Sequence, residues 1–322
     1  MSSLASSRPP GADDAARDLL SEVATRFYLD DESKVSIAND MGLSRFKVAR
    51  LLQEARAQGI VEIVVHDTRD DAARLAEELR TRFRLRAVRL APPDDDPEVE
   101  RDGLGRAAAA LLAERVREGQ RIGLSWGRTL LSIPSHLGEL PRAEFIQLTG
   151  VVGNDPSQSP VAFLDHLSRK SRSTGKALFA PLFCGSPESA AAQRAEPAVA
   201  EVMSLYDRLD IALLSVGSWS PRVTQLGQHI SPADAKLLDE KGAVADFGGM
   251  FLDEHGRYLD VPLNACRLSV GVEHLARTPV VIAVAGQREK TRAISAVARS
   301  GLISDLVTTT EVARELLALP AP

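Results

Sequence analysis

The chain has 322 residues, of which 44% are hydrophobic and 4% aromatic, and this length and composition predict a soluble protein with one small and one large domain. Its formal net charge of −5 excludes a protein that coats nucleic acid nonspecifically, so any contact with DNA must come from a local basic surface. No apolar run approaches the roughly 20 residues of a bilayer-spanning helix and the N-terminus has no signal-peptide core, which predicts a cytoplasmic protein with no membrane partner.

The first residues of the chain offer little to bury. Residues 1–12 are mostly Ser, Pro, Gly and Ala, which predicts a disordered tail. Residues 15–28 then carry apolar side chains at helical spacing, among them Leu20 and Val23, and we expect one amphipathic helix there. This helix would support a DNA-binding domain that spans residues 13–66.

Residues 33–59 have the pattern of a helix-turn-helix motif. Ile37 and the small Ala38 predict the buried face of a short first helix, and Gly42 supplies the positive φ that a tight turn between helices requires. Ser44 then caps a second helix. Apolar residues recur on the inner face of that helix at three- and four-residue spacing, which leaves a basic outer face near its N-terminal end.

The outer face of the second helix is the surface with which a helix-turn-helix protein reads base edges in the major groove. This helix is locally positive although the whole chain is acidic, which suits contact with a phosphate backbone. An ordinary helical hairpin is the alternative interpretation of the same pattern. The residues predicted to contact DNA are Ser33, Lys34, Ser44, Arg45, Phe46, Lys47 and Arg50.

Three segments lie between this motif and the larger domain. Residues 60–66 are rich in β-branched side chains and predict a strand, either a wing of the DNA-binding domain or the entry to the second domain. Residues 69–83 predict an amphipathic helix, either a linker that pairs with another copy of the chain or a solvated surface helix. Residues 91–98 have the composition of a loop. We therefore expect a linker over residues 67–98.

An effector domain is predicted over residues 99–322, where helices and strands alternate regularly. Such alternation predicts a Rossmann-like α/β fold, with a parallel sheet that helices cover on both faces. The predicted strands are residues 121–125, 144–148, 176–183, 211–217, 243–253, 279–286 and 305–310. The predicted helices are residues 104–116, 129–137, 161–171, 196–209, 232–242, 289–301 and 310–319.

The SWGRT loop (residues 125–129) is the first candidate ligand site. Open α/β sheets bind ligands beyond the carboxyl ends of their strands, where loops lead into helix N-termini with free N–H groups. In the SWGRT loop, the glycine lets a ligand approach the backbone closely and the two hydroxyl groups add hydrogen-bond donors, as in a loop that cradles a phosphate. A strand-to-helix turn that is shaped only by packing is the alternative. The predicted contacts are Ser125, Trp126, Gly127, Arg128 and Thr129.

Two further loops and one carboxylate would lie at the same edge of the sheet. One loop contributes Thr149 and Gly150, and another contributes Lys290 at the start of a helix. Asp246 follows a different strand, and it would either accept the hydroxyls of a sugar or cap its own glycine turn.

The cysteines and histidines do not indicate a redox or metal site. Cys184 and Cys266 are far apart in the sequence and lack CxxC spacing, which predicts buried, reduced thiols and no disulfide. The six histidines lack metal-binding spacing, and no dinucleotide or P-loop fingerprint is present. The sequence therefore predicts neither a metal nor a cofactor.

The order of these segments resembles the SorC family of bacterial sugar-responsive transcriptional regulators. The resemblance covers about residues 19–319 and rests on IANDMGLSRFKVARLLQEARAQGIVEI, GLSWGRTL, QLTGVVGN, VADFGGMFLDEHG and VAGQREKTRAISAVARSGLISDLVT. It implies an effector domain with the fold of sugar-phosphate isomerases and glucosamine-phosphate deaminases. It also implies that the protein is released from operator DNA, or rearranges on it, when a phosphorylated sugar binds.

The resemblance also assigns roles by position. It places the effector phosphate on the SWGRT loop and Lys290, the sugar hydroxyls on Asp246, and the sugar carbon chain beside Thr149. Some relatives have Lys or Arg at the position of Thr149. A neutral hydroxyl there cannot form a Schiff base or pair with a second phosphate, which favours a singly phosphorylated or an unphosphorylated sugar or polyol.

This chain departs from the pattern of its relatives at two other places. Gln287 stands where relatives usually have a second glycine, and Thr309 and Thr310 replace an acidic pair. Both departures bear on which sugar the domain binds.

Three functions are compatible with this sequence. The leading hypothesis is a DNA-binding transcriptional regulator that a carbohydrate effector switches. Because one helix-turn-helix covers too few base pairs for specificity, such a regulator would be a homo-oligomer, a dimer or a tetramer. An isomerase-like or deaminase-like enzyme is disfavoured, because it would need both a general base and a general acid and Asp246 is the sole carboxylate placed beside the SWGRT loop. Such an enzyme would also have no use for a helix-turn-helix. A regulator whose pocket binds no ligand is the third.

Overall fold

The computed structural model describes residues 12–61, 68–153 and 160–320. The chain divides into two compact units, Met1–Asp67 and Thr68–Pro322. The helix that the sequence assigns to a linker is the first element of the second unit. Within the described ranges, no helix has both the length and the apolar character that a bilayer crossing requires.

The first unit packs its helices around one apolar core. Its helices are α1 (Ala12–Tyr28), α2 (Lys34–Asp40) and α3 (Arg45–Ala57). The core consists of Leu20, Val23, Ala24, Ile37, Ala38, Val48, Leu51, Leu52 and Ala55. The helix-turn-helix that the sequence spacing predicts is thus present as α2, a turn and α3.

Polar groups fix the turn between α2 and α3. The hydroxyl of Ser33 accepts the backbone N–H three residues on at 3.1 Å, and the hydroxyl of Ser44 does the same at 3.2 Å, so each serine caps the helix that follows it. Gly42 has a φ of 64°, and the N–H of Leu43 donates to the carbonyl of Ala38 at 2.8 Å. The glycine therefore ends α2 in the left-handed conformation that the sequence required.

A mostly parallel sheet forms the centre of the second unit. Its strands are β1 (Ala87–Ala91), β2 (Arg121–Leu124), β3 (Glu144–Gln147), β4 (Gly175–Lys176), β5 (Ile211–Ser218), β6 (Ala245–Phe247), β7 (Met250–Leu252), β8 (Val280–Val284) and β9 (Asp305–Thr309). The order β1-β9-β8-β5-β2-β3-β4 is parallel throughout. β6 pairs antiparallel with β5 and with β7. The predicted α/β fold is confirmed.

Helices cover both faces of this sheet. They are α4 (Thr68–Arg82), α5 (Pro97–Arg115), α6 (Pro160–Lys170), α7 (Pro187–Ala195), α8 (Pro197–Ser204), α9 (Pro232–Glu240), α10 (Val272–Arg277), α11 (Thr291–Arg299) and α12 (Thr310–Ala318). Ile211 and Leu213 belong to one apolar core, with residues of α5 and α6, whereas Ala212 and Leu214 belong to another, with residues of α4, α11 and α12. Since successive strand residues point to opposite faces, the two cores lie on opposite sides of the sheet.

The beginning and the end of the second unit lie against each other. β1 pairs with β9, and α4 packs on both β1 and α12. The guanidinium of Arg82 donates to the carbonyls of Leu317, at 2.7 Å, and Leu319. Arg314 pairs with Asp71 at 2.6 Å, and this contact lowers the pKa of the Asp71 carboxyl.

The start of the α/β alternation differs from the prediction. β1 was not predicted, and α5 begins at Pro97 rather than at Leu104. The carboxylate of Asp96 accepts the N–H of Glu98 at 2.8 Å, and Pro97 occupies the first turn, where proline is favoured. The acidic, proline-bearing run that indicated a loop is therefore partly a helix start.

The predicted strand at residues 243–253 is a hairpin of two short strands. β6 and β7 pair antiparallel across Gly248 and Gly249, whose φ angles are 64° and 81°. Two adjacent residues with positive φ reverse the chain where a single strand was expected. Asp246 consequently lies on an antiparallel strand at the end of β5.

Three other segments are shorter or more broken than predicted. The strand expected at residues 176–183 is reduced to β4. The helix expected at residues 129–137 is a 3₁₀ helix, Leu130–His136, and it contains Pro134, which has no N–H for an α-helical hydrogen bond. The helix expected at residues 196–209 consists of α8 and a 3₁₀ turn, and α7 before it was not predicted.

Two predictions fall on residues that the structure does not describe. The tail at residues 1–12 lies outside the described ranges except for Ala12, which begins α1. The strand at residues 60–66 also lies mostly outside them. Both remain predictions.

Cys184 and Cys266 are neighbours in the fold although they are far apart in the sequence. The N–H of Cys184 donates to the carbonyl of Cys266 at 2.8 Å. Both thiols are free and partly exposed, so the expectation that they are buried is wrong. Partial burial raises the pKa of the Cys266 thiol.

Candidate functional site

The SWGRT loop leaves the carboxyl end of β2 and is hydrogen-bonded to the middle of β5. The N–H of Ser125 donates to the carbonyl of Leu213 at 3.0 Å. Gly127 has a φ of 152°, and a Cβ atom there would lie 2.3 Å from Oγ of Ser215, so only glycine fits. The Ser215 hydroxyl donates to the carbonyl of Trp126 at 2.8 Å. Gly127 is therefore needed for packing, as the alternative interpretation of this loop expected.

The backbone of the SWGRT loop also presents unused donors. The amide N–H groups of Trp126, Gly127, Arg128 and Thr129 have no hydrogen-bond partner among the described residues. Successive free N–H groups in one turn form a concave site that attracts anions. The hydroxyl of Ser125, by contrast, is buried and donates to the carbonyl of its neighbour at 3.3 Å.

Three cationic side chains line the cavity beside this loop: Arg101 on α5, Arg128 in the loop and Lys290 just before α11. Burial, with the nearby charges of Arg128 and Arg101, lowers the pKa of Lys290 to about 8. Arg101 pairs with Glu98 on its own helix, whereas the ammonium of Lys290 has no partner in the described part of the chain. The cavity thus carries positive charge that an anionic ligand would neutralise.

Asp246 supplies a carboxylate to the same cavity. One of its oxygens accepts the N–H of Gly249 at 2.9 Å, and the other accepts the hydroxyl of Thr224 at 3.1 Å. Burial raises the pKa of Asp246 to about 6, and these two hydrogen bonds oppose that rise. Asp246 therefore caps its own glycine turn and also lines the cavity; its contact with sugar hydroxyls stays a prediction.

The cavity has a volume of about 530 Å³, including the part that is open to solvent. All five residues of the SWGRT loop line it, together with Asp246 and Lys290. Within the described ranges, no group of three or more His, Cys, Asp or Glu side chains could hold a metal ion.

Two residues that the sequence assigned to the effector lie beneath the cavity and do not line it. Thr149 is fully buried, and its methyl group lies 3.8 Å from the position that a Cβ atom on Gly248 would take. Gly150 packs on the backbone of Pro181, where a Cβ atom would approach within 2.5 Å. Both residues follow β3; Thr149 packs near the hairpin turn, and the N–H of Gly150 donates to the carbonyl of Leu268 at 2.9 Å.

Several lining residues were not identified from the sequence. They include Arg101, Ser215 and Thr224; Gln287, which the sequence marked as a departure from the relatives, also lines the cavity. Arg101 lies between the predicted loop, residues 91–98, and the predicted helix, which began at Leu104, and Thr224 follows β5 without any motif. A usable signal existed only for Ser215, a polar residue within the otherwise apolar strand IALLSVG.

α3 presents the residues that were predicted to contact DNA. Arg45 and Arg50 are exposed, and Phe46 has 87% of its surface exposed, which is unusual for a large apolar side chain. Lys47 is partly exposed. The only ion pair of Arg50 in the described ranges is a long one, 3.8 Å to Glu54.

The other predicted DNA contacts lie at helix starts. The hydroxyls of Ser33 and Ser44 already accept backbone N–H groups, so they act first as helix caps. The ammonium of Lys34 lies 5.2 Å from the centre of the Phe27 ring, within the range of a cation–π contact. These contacts fix the orientation of the two helices whose N-terminal ends would face a phosphate backbone.

Comparison with known proteins identifies the family. Residues 68–318 match the family model described as "Putative sugar-binding domain". The crystal structure of the full-length sorbitol operon regulator SorC from Klebsiella pneumoniae has the same fold, with a TM-score of 0.73 at 23% identity over 95% of this chain and 100% of that chain. A transcriptional regulator, LsrR from Enterobacter sp. (strain 638), is 31% identical over 94% of this chain and 93% of the relative. The chain belongs to the SorC family of transcriptional regulators.

A further relative agrees with this assignment. LsrR from Klebsiella pneumoniae subsp. pneumoniae is 30% identical over 95% of this chain and 94% of the relative. The SorC-family resemblance that the sequence motifs indicated is therefore confirmed, and so is the expected pairing of a helix-turn-helix with an α/β domain.

Proposed function

We propose that this SorC-family regulator binds operator DNA through α3, and that a phosphorylated sugar or polyol bound beside the SWGRT loop changes its affinity for that DNA. The first unit would be the DNA-binding domain and the second the effector domain. A protein with these two tasks would act in the cytoplasm, where DNA and metabolic phosphates are both present. The relatives named as transcriptional regulators support this assignment.

The observation that carries the proposal is the unpaired cation in the cavity. Lys290 is partly buried, it has no partner among the described residues, and burial together with neighbouring positive charges lowers its pKa. The unused N–H groups of the SWGRT loop line the same cavity. A phosphate dianion would accept hydrogen bonds from both and remove the repulsion between the cations.

The remaining polar groups suit a carbon chain with hydroxyls. The carboxylate of Asp246 retains lone pairs beyond those used by Gly249 and Thr224, so it can accept hydrogen bonds from ligand hydroxyls. Thr149 lies under the cavity and carries no charge that could pair with a second phosphate. We therefore propose a singly phosphorylated sugar or polyol.

An isomerase-like or deaminase-like activity would need a general base and a general acid near the substrate. Asp246 is the only carboxylate among the described residues that line the cavity, and both of its oxygens already accept hydrogen bonds. We propose binding without catalysis. Calorimetric titration with sugar phosphates also separates this proposal from a regulator whose pocket binds nothing.

The proposal is tested by operator binding in the presence of ligands. The operator is first selected from randomised duplexes, and its binding is then followed by fluorescence anisotropy with a panel of sugar phosphates, their unphosphorylated parents and inorganic phosphate. We expect at least one sugar phosphate to change the operator dissociation constant by about 5- to 150-fold, and the operator to change the affinity for that ligand by the same factor. A panel in which no phosphate has any effect would contradict the proposal.

We also expect the protein to be an oligomer, a dimer or a tetramer built from two dimers. Paired half-sites about 34–36 Å apart, or multiples of that distance, require a two-fold assembly of helix-turn-helix units. Light scattering at micromolar concentration, with and without operator, measures the mass directly. A monomer under both conditions would show that specificity arises in another way.

A further inference from the structure

The backbone of Gln287 adopts a conformation that is unfavourable for a residue with a Cβ atom. Its φ is 71° and its ψ is 125°. These angles lie outside the small left-handed helical region in which non-glycine residues with positive φ are usually found. Such conformations persist only where the surroundings impose them, and they cluster at ligand sites.

The surroundings of Gln287 hold its backbone on both sides. Its N–H interacts with the carboxylate of Glu100 on α5, and its carbonyl accepts the N–H of Lys290 at 3.0 Å. Glu100 is only 5% exposed, and burial raises the pKa of its carboxyl. Gly286 permits this close approach, because a Cβ atom there would lie 2.6 Å from Oε1 of Glu100.

Gln287 is one of the residues that line the cavity, together with Lys290 and Arg101. It is partly buried, and its side-chain amide has no hydrogen-bond partner within the described ranges. The positive charges of Lys290 and Arg101 suit an anionic group of the ligand. A neutral carboxamide offers both donors and an acceptor, which complements a hydroxyl group.

On the basis of the proposed function, we propose that Gln287 selects the effector, because its side-chain amide hydrogen-bonds a hydroxyl of the sugar or polyol chain next to the bound phosphate. Glycine at this position would form the same turn without strain, but it would present no polar group to the ligand. The strain at Gln287 therefore lowers the stability of the fold somewhat, while the amide allows the protein to discriminate between phosphorylated ligands.

The test compares the wild type with Gln287→Gly by calorimetry. The probes are the tightest-binding phosphate of a panel that contains ribose 5-phosphate, glucose 6-phosphate and glucitol 6-phosphate, each of its monodeoxy derivatives, and inorganic phosphate. In the wild type, one monodeoxy derivative should bind roughly 10-fold more weakly than the parent. In Gln287→Gly the parent should weaken by a similar factor and that difference should disappear, while the affinity for inorganic phosphate stays the same.

Arg84→Gly is the matched control. Arg84 is exposed and has a φ of 56°, but it does not line the cavity. Both glycine variants should melt at a higher temperature than the wild type, whereas only Gln287→Gly should change ligand discrimination. If Gln287→Gly distinguishes the monodeoxy derivatives as the wild type does, the inference about Gln287 is wrong and the proposed function stands. If the wild type binds none of the phosphates, both are wrong.

Discussion

Lys290→Met is expected to weaken effector binding and, at the same time, to stabilise the ligand-free protein. The substitution keeps an unbranched apolar stem and removes the charge. In the wild type this charge is partly buried beside Arg128 and Arg101, which is electrostatically unfavourable until an anion binds. Loss of the contact between ammonium and phosphate should weaken effector binding by about 1.5–3 kcal/mol, roughly 10- to 150-fold in dissociation constant.

Calorimetry with the effector and thermal unfolding without it measure the two parts of this prediction. Lys236→Met is the control, because Lys236 is exposed on α9 and makes only a long contact, 3.7 Å, with Glu240. It should change neither quantity. Wild-type effector affinity in Lys290→Met would show that the effector binds elsewhere.

The lowered pKa of Lys290 adds a pH dependence to the same experiment. The pKa of Lys290 is about 8 in the folded protein, whereas a lysine that the fold does not perturb has a pKa of 10.5. Between about pH 8 and 10.5, Lys290 therefore binds more protons in the unfolded chain than in the folded protein. The contribution of Lys290 to the free energy of unfolding therefore rises as pH increases from about 8 to 10.5, and Lys290→Met should lack this rise. Effector binding by the wild type should weaken above about pH 8, as the ammonium loses its proton.

Arg45→Ala and Arg50→Ala should each lower operator affinity without unfolding the protein. Both side chains are exposed on α3 and neither belongs to the apolar core of the first unit. A base contact is worth about 1–3 kcal/mol, roughly 5- to 150-fold, and a phosphate contact is weaker but depends on salt. Each lost phosphate contact should reduce the salt slope of binding by about 0.9.

Anisotropy titrations of the operator at several salt concentrations measure both effects. Arg169→Ala is the matched control, since Arg169 is an exposed arginine on α6 and pairs with Asp165 one helical turn away, as Arg50 does with Glu54. It should leave operator binding unchanged. Wild-type affinity and salt slope in both α3 variants would show that α3 is not the recognition helix.

The parts of the fold that local pattern determines were predictable from the sequence. Val48 and Leu51 are buried because their spacing places them on one face of α3, and Gly42 has the positive φ that the turn between helices needs. The SWGRT loop was also found, because a glycine between hydroxyl residues after an apolar strand is a local signal. The family motifs then supplied the type of domain.

The rest of the cavity depends on contacts between distant segments. Arg101 reaches it only because α5 begins at Pro97, and Gln287 faces it only because Glu100 and Gly286 hold its backbone in place. No spacing within the sequence joins these residues. Thr149 was assigned to the ligand from the family resemblance; it is fully buried and is not among the residues that line the cavity.

The pairing of β1 with β9 joins the two ends of the second unit at one edge of the sheet. α4 follows the DNA-binding unit in the chain, and it is held by β1 and α12. α11, which starts just after Lys290, leads into β9 and then into α12. Lys290 and α4, the first helix after the first unit, are thus connected within the second unit through α11, β9 and α12.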